Sequence, residues 1–405
     1  MIERFAEVVL RRYSDAVSVW MSVVLALAYL ACLIIAARLL LCHLDAAAER
    51  IYPWQLFLGI GLLFLVFVQL YPVLDSGRLG FFSDRDEALD LAVRQFLSGQ
   101  YPYHCRAVSG IHHGCPSVGN PIAPLPGALL LSLPFVLVWG SSVQSFFWLI
   151  VYYFASRWYT ASSGIASVHL LSVLVLSPVL VAELLTGGDL IANTLAVTSL
   201  LLIALRARSP VQWLMSGLFL GIALSWRGHF LLMTVPIIVY HIRRQERRKL
   251  LVVGGAAAAS AILVTIPFWL SDPQGFSPLT IQQRFHQFDH IVSHGNLIAT
   301  SASTAVGVVL GYCSRDHDQL LVACAAVLIT PFLFAAILFS ADHARPTLLF
   351  FGWYAISSLF FGTLGIVSGT AKTAETDLPT GAQDDDCDDA PLGSVDIKRA
   401  RSMRR

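Results

Sequence analysis

The sequence predicts an all-α fold, a polytopic membrane helix bundle of about ten to eleven spans. Hydrophobic residues make up 56% of the 405 residues, charged residues only 13%, and the mean hydropathy is +0.68. Soluble domains carry roughly 25% charged residues, so a chain this poor in charge is typical of a protein that lies in lipid. A net charge of +1 provides no positive field for nucleic acid. We therefore expect the lipid bilayer as a partner and no nucleic acid.

A bilayer-spanning helix needs about 20 mostly apolar residues. The apolar runs that meet or approach this length are 17–41, 52–74, 143–159, 165–185, 190–205, 211–226, 230–240, 250–270, 297–312, 320–339 and 348–367. The first run is too long for a signal-peptide core, so we expect a retained helix. The predicted regions are an N-terminal helix and link at 1–51, a membrane module at 52–270, an external loop with C-terminal membrane helices at 271–368, and a disordered tail at 369–405.

The Pro-rich apolar segment 122–140 decides which side of the membrane each later loop faces. Pro124, Pro126 and Pro134 interrupt it and disfavour a regular span. If the segment returns to the surface from which it entered, the basic residues of the later loops lie opposite the polar loop 75–120. The positive-inside rule favours that arrangement. We therefore predict a re-entrant or interfacial helix at 122–140 and an external position for the loop.

The loop 75–120 carries an unusual concentration of negative charge. Four carboxylates fall within seven residues: Asp84, Asp86, Glu87 and Asp90. Apolar residues recur at helical spacing over 86–97, and Gly99 follows, so we expect an amphipathic helix on the membrane surface. A carboxylate at a helix start can cap free backbone N–H groups, but a cap needs only one. The surplus predicts a polar site, with Asp90 on the solvated side of the helix.

Three short motifs resemble the GT-C superfamily of membrane glycosyltransferases. One is the Asp-Glu pair at 86–87, followed by a surface helix, GQYPY at 99–103 and a Pro-rich apolar helix. The second, LLTGGD at 184–189, is similar to the family's second external junction. The third, MSGLFLGIAL at 215–224, is similar to the small-residue helix that leads to a basic residue, here Arg227. The resemblance covers about 52–270 and is nearest to prokaryotic polyprenyl-phosphate-mannose-dependent mannosyltransferases and their uncharacterised relatives.

The resemblance implies a cell-envelope hexosyltransferase in the plasma membrane of a prokaryote, with an external active site. It would move a mannose-like hexose from a polyprenyl-phosphate sugar to a hydroxyl of a glycan, lipid or protein acceptor, and no cofactor is implied. In a direct displacement, a carboxylate accepts the hydroxyl proton as general base. Asp86 is the first choice for this base, and Asp84 is the second. The residues implied to contact substrate are Glu87, Tyr103, Asp189, Arg227 and His229, with Arg227 placed to stabilise the departing phosphate.

Several of these residues have structural alternatives that the sequence leaves open. Acidic residues at a helix start, including Asp84 and Asp189, are often caps. Arg227 lies near the end of an apolar segment, where arginines reach out to lipid headgroups. The segment 84–86 is also compatible with a DxD pair that holds a divalent cation, although the chain has no GxxxxGK[ST] phosphate loop.

The remaining polar features and the whole protein also have alternatives. His286, His290 and His294 are spaced four apart, which suits either an external surface helix or a metal site on one helix face. Cys105 and Cys115 share one polar loop and can pair in an oxidising compartment. The competing functions are a membrane transporter and a non-catalytic membrane assembly subunit. Charges gather in loops rather than in helix interiors, which disfavours an ion-coupled carrier.

Overall fold

The structure, a computed structural model, describes residues 48–75, 84–104, 106–108, 111–113, 115–116, 121–280, 289, 291–343 and 355–376. Within these ranges the chain is almost entirely α-helical, and one short antiparallel hairpin pairs Arg106 with His113. The predicted all-α membrane bundle is confirmed. The predicted helix at 17–41 lies outside the described residues.

The helices and strands of the described residues follow one another in this order: α1 (Pro53–Asp75), α2 (Arg85–Leu97), β1 (Arg106–Val108), β2 (Ile111–His113), α3 (Pro126–Val138), α4 (Gln144–Thr160), α5 (Ser163–Leu176), α6 (Pro178–Leu185), α7 (Asp189–Arg206), α8 (Pro210–Leu224), α9 (Thr234–Arg243), α10 (Arg247–Ser271), α11 (Ser277–Thr280), α12 (Gly295–Cys313), α13 (His317–His343) and α14 (Ile356–Thr376). Short 3₁₀ turns at Ser141–Val143 and Gly228–Met233 precede α4 and α9.

The described helices that are long and apolar enough to cross a membrane are α1, α7, α10, α12 and the first part of α13. Two bent pairs raise the number from five to seven if each pair is one span. One pair joins α3 to the helix that follows it at 106°, and the other joins α5 to α6 at 84°. The second bend falls at Ser177, where Pro178 disfavours a continuous helix through the preceding residue. The predicted run 165–185 is therefore broken in two.

Helix α7 forms the centre of the bundle and contacts α4, α8 and α14. Its candidate span is 83% buried, whereas those of α1 and α10 are only 17% buried and present apolar side chains outward. Helices α8 and α10 approach closely because α8 carries glycine at the contact. A Cβ on Gly221 would lie 2.0 Å from the Ala257 carbonyl oxygen. Such small-residue contacts are a usual way for membrane helices to pack.

The helix ends fall into two groups at opposite ends of the bundle. Helix α4 begins where Ser145 donates to the Gly188 carbonyl, and it ends where the Arg206 guanidinium donates to the Tyr159 carbonyl. We call the two groups the loop end and the basic end. The loop end comprises 84–104, 121–127, 139–145, 185–190, 225–230 and 271–277, and the basic end comprises 157–162, 206–210, 243–249 and 313–318.

Helix α3 begins and ends at the loop end. Before it, the Leu125 N–H donates to the Trp226 carbonyl at 2.9 Å. After it, the Ser141 N–H donates to the Asp90 carboxylate at 2.7 Å and the Ser141 hydroxyl to the Asp86 carbonyl at 3.1 Å. Helix α3 has 13 residues, too few to cross a bilayer. It therefore returns to its own side, as the prolines of this segment predict.

The surface helix α2 begins and ends within a residue of the predicted bounds. Gly99 follows it with a φ of +74°, a left-handed conformation that favours glycine. Leu89 and Val93 are buried as the helical spacing predicts, but Leu97 is 48% exposed because it lies in the last turn. Asp90 was expected to be solvated, and this expectation is wrong. Its carboxylate holds the backbone that follows α3.

Three predictions fall partly outside the described residues. Helix α14 continues to Thr376, past the predicted start of the tail at 369. His294 has a left-handed backbone just before α12, so it does not continue a helical face, while His286 and His290 lie outside the described residues. Cys115 is disulfide-bonded, and its predicted partner Cys105 also lies outside them.

Candidate functional site

Helix α2 turns the Asp86 side chain into the protein. Asp86 is only 3% exposed, and the Tyr71 hydroxyl, from the end of α1, donates to its Oδ2 atom at 2.5 Å. A carboxylate in the first turn of a helix is favoured by the N-terminal dipole. The hydrogen bond from Tyr71 fixes the orientation of the carboxylate. Nothing in the sequence distinguishes Tyr71, because it is one aromatic residue among many in an apolar run.

The corner between α6 and α7 lies against this carboxylate. Gly187, in the corner, has a φ of +71°. A Cβ at this position would lie 2.7 Å from the Tyr71 ring and 2.9 Å from Asp86 Oδ2. Both the backbone conformation and the space therefore require glycine. The LLTGGD motif thus places the corner before α7 close against the Asp86 side chain.

A buried ion pair joins α2 to the same corner. Glu183 is 1% exposed, and Arg85 Nη1 donates to its two carboxylate oxygens at 2.9 and 3.1 Å. The Leu190 N–H, at the start of α7, also donates to Glu183 at 3.2 Å. Glu183 was not among the predicted site residues, although a carboxylate within an apolar run is itself a signal of function.

A second buried ion pair lies at the start of α7. Asp189 is fully buried and accepts from Arg227 Nη2 at 2.5 Å and from Trp226 Nε1 at 3.1 Å. Both carboxylate oxygens are thus engaged, so Asp189 orients the guanidinium that follows α8. The Arg227 Nε atom is buried and has no hydrogen-bond partner among the described residues. An N–H donor in this state favours an acceptor from a ligand or solvent.

The two ion pairs and Asp86 form one cluster at the loop end. Glu183 interacts electrostatically with Arg85, Asp189 and Arg227. Gly187, between the two acidic residues of the corner, packs so closely against Asp86 that an added Cβ would lie 2.9 Å from the carboxylate. The structure therefore brings three of the predicted site residues together, although they are far apart in sequence.

The other predicted site residues lie at the edge of this cluster or have structural partners. Asp84 occupies the N-cap position of α2, but its side chain makes no capping hydrogen bond. Glu87 is exposed. Tyr103 is 1% exposed and donates to the Pro124 carbonyl at 3.1 Å, so it positions the Pro-rich segment. Its predicted contact with substrate stays a prediction.

His229 lies two residues beyond Arg227, in the turn before α9. Its ring stacks against Phe230 at a centroid separation of 4.2 Å and meets the edge of Phe332 from α13. These aromatic contacts place the imidazole at the boundary between the loop end and the bundle. Its predicted contact with the donor stays a prediction.

The described residues hold neither a metal-binding cluster nor a large cavity at the Asp86 cluster. In that part of the chain, no three or more His, Cys, Asp or Glu residues are close enough to share a metal ion. Cavities of about 530 and 340 Å³ open at the basic end and do not reach the Asp86 cluster. The candidate site is therefore defined by its buried charges rather than by cavity size.

Residues 129–270 match the family model of dolichyl-phosphate-mannose-protein mannosyltransferases. The match confirms the resemblance to GT-C glycosyltransferases. No curated protein and no solved structure matches the chain.

The GT-C match covers about a third of the chain, from α3 to α10. It includes the Asp189–Arg227 pair and begins after Asp86. At the level of the family, it indicates a membrane glycosyltransferase with mannosyltransferase chemistry. Together with the apolar helices, this supports an integral multi-pass membrane protein.

Proposed function

We propose that this membrane glycosyltransferase moves a mannose-like hexose from a polyprenyl phosphate to an acceptor hydroxyl, with Asp86 as the general base. The observation that carries the proposal is the contact between Asp86 and the corner that begins α7, where Asp189 holds Arg227. A proton acceptor and a cation thus lie at one end of the bundle, as a direct displacement requires. The acceptor is a glycan, a lipid or a protein.

The proposed reaction forms one bond and breaks one bond at the anomeric carbon. The acceptor oxygen attacks C1, its proton passes to the Asp86 carboxylate, and the bond from C1 to the phosphate oxygen breaks. An oriented base of this kind contributes typically about 10²- to 10⁴-fold to the rate. The hydrogen bond from Tyr71 supplies the orientation, because a catalytic base is commonly held by a third group. The displacement inverts the configuration at C1.

Arg227 is the proposed partner of the donor phosphate. The donor is a phosphodiester with one negative charge, and the departing polyprenyl phosphate gains a second. A guanidinium stabilises this developing charge through charge-assisted hydrogen bonds. The unused, buried Nε of Arg227 supports this role, since a phosphate oxygen would satisfy it. Asp189 keeps the guanidinium in place.

We place the loop end on the outer face of the membrane. The basic residues collect at the opposite end, which the positive-inside rule assigns to the cytoplasm. The disulfide at Cys115, in the loop that follows α2, is a bond of oxidising compartments. Both observations support an external site in the plasma membrane of a prokaryote.

Sugar transfer from radiolabelled polyprenyl-phosphate mannose tests the proposal. The full chain would be reconstituted in nanodiscs with an extract of cell-envelope acceptors, and labelled product would be counted. We expect Asp86→Asn to reduce transfer about 10²- to 10⁴-fold because it removes the base and keeps the size of the side chain. Glu49→Gln, which removes an exposed carboxylate far from the cluster, is the matched control and should transfer at the unaltered rate.

Two outcomes would contradict the proposal. Equal transfer by the Asp86→Asn variant and the unaltered protein would exclude Asp86 as the base. A folded, unaltered protein that takes sugar only from a nucleotide-sugar donor would exclude the polyprenyl-phosphate donor. Asp84→Asn, measured in parallel, shows whether the second candidate serves as base instead.

A further inference from the structure

A polar cavity of about 340 Å³ lies at the basic end, opposite the candidate active site. Its lining comes from the end of α4, from the segment that joins α7 to α8, and from the start of α13. The lining residues are Tyr159, Leu205, Arg206, Ala207, Arg208 and His317. Two of the six, Arg206 and Arg208, carry a guanidinium, and none is acidic. This composition suits a negatively charged ligand.

The two arginines in this cavity have no carboxylate partner among the described residues. Arg206 donates from Nε to the Tyr159 carbonyl at 2.9 Å, which fixes the guanidinium at the cavity wall. Arg208 is exposed, and its side chain forms no hydrogen bond or ion pair within the described part of the chain; only its backbone N–H donates, to Gln212. Their positive charges are therefore available to a ligand.

Three carboxylates lie near the cavity but do not line it: Asp316, Asp318 and Glu246 each interact electrostatically with at least one of its lining residues. The Tyr159 hydroxyl donates to Asp318 at 2.8 Å, and Asp318 lines the adjoining cavity instead. Glu246 accepts from the His241 ring at 2.9 Å. Lys249 adds a further cation beside the cavity, where its ammonium donates to the Leu205 carbonyl.

We propose that this cavity binds the phosphate group of an anionic lipid from the leaflet at the basic end. A guanidinium binds phosphate through short, charge-assisted hydrogen bonds. Basic pockets between membrane helices are recurrent sites for lipid headgroups, because the arginines lie at headgroup depth. The cavity opens among the ends of membrane helices, where a lipid is present at far higher local concentration than a soluble phosphate. Bound there, the headgroup links α4, α7 and α13.

The test measures the apparent melting temperature of the full chain in nanodiscs. One set contains phosphatidylcholine alone, a second contains added phosphatidylglycerol, and a third contains phosphatidylcholine with inorganic phosphate in the buffer. We expect phosphatidylglycerol to raise the melting temperature, since a ligand that binds only the folded state stabilises it. Arg208→Gln should weaken the apparent lipid affinity about tenfold, the cost of one charge-assisted hydrogen bond. The matched control is Arg248→Gln, which removes an exposed cation from the same end but outside the cavity.

Each outcome decides the proposal. Stabilisation by phosphatidylglycerol that Arg208→Gln weakens and Arg248→Gln preserves supports the site. Equal weakening by both variants would show diffuse attraction of the basic end for the membrane and would overturn it. Equal, Arg208-dependent stabilisation by inorganic phosphate would overturn the lipid assignment in favour of a soluble anion. No stabilisation by either probe would overturn the site itself.

Discussion

Substitution of Gly187 by alanine tests the proposed contact between the α7 corner and Asp86. The left-handed backbone costs a non-glycine residue about 1–2 kcal/mol. The added Cβ would also lie 2.7 Å from both the Ser142 Cβ and the Tyr71 ring, and 2.9 Å from Asp86 Oδ2. Because carbon atoms pack at about 3.5 Å or more, these groups must move by roughly 0.8 Å. Overpacking of this kind costs about a further 1–3 kcal/mol.

The activity of the Gly187→Ala variant should fall about 100-fold, because a displacement near 1 Å at a reacting group has this effect. The assay is sugar transfer from polyprenyl-phosphate mannose in nanodiscs, with the apparent melting temperature measured on the same samples. Gly99→Ala is the matched control. Gly99 has a similar φ of +74°, but a Cβ there would meet no atom within 4 Å. The Gly99→Ala variant should lose only about 1–2 kcal/mol of stability, from the left-handed backbone, and should keep most of its activity. Equal activity losses in the two variants would refute the reasoning.

Three further predictions concern the orientation of Asp86 and the stability of the loops around the site. Tyr71→Phe removes a hydrogen bond to the Asp86 carboxylate that is worth about 1.5–3 kcal/mol. The variant should fold, and its kcat should be about tenfold lower. An unchanged kcat would contradict the orienting role of Tyr71. Hydrogen bonds from the Gly275 N–H and the His104 ring lower the pKa of Asp272 in the folded protein. The Asp272 carboxylate therefore stabilises the folded protein above its unfolded pKa, near 3.9. This stabilisation is lost as the pH falls through the lower, folded pKa. The melting temperature should therefore fall more steeply below about pH 4 in the unaltered protein than in Asp272→Asn, and parallel curves would contradict this. Cys115→Ser should lower the apparent melting temperature by the equivalent of about 2–4 kcal/mol, and a reductant should then have no further effect.

The sequence predicts much of the architecture because local rules govern it. Helical spacing and Gly99 define α2, and the prolines around 122–140 indicate a helix that does not cross the membrane. The LLTGGD motif indicates a corner between two helices. Each of these features depends on residues that are close together in the chain.

The partners of the site residues could not be predicted, because they come from distant elements. Tyr71 reaches Asp86 only once α1 and α2 have packed together, and no periodicity distinguishes it from other aromatic residues. Glu183 and Arg85 are 98 residues apart. The two Asp189 carboxylate oxygens accept hydrogen bonds from Trp226 and Arg227, which lie in the turn after α8. Three-dimensional packing, which sequence patterns do not encode, makes these pairs.

The most direct test of the central claim is a single-turnover measurement on the Asp86→Asn variant with polyprenyl-phosphate mannose already bound. If Asp86 accepts the hydroxyl proton, the donor remains bound and the transfer step slows about 10²- to 10⁴-fold. A transfer step as fast as that of the unaltered protein would contradict the account.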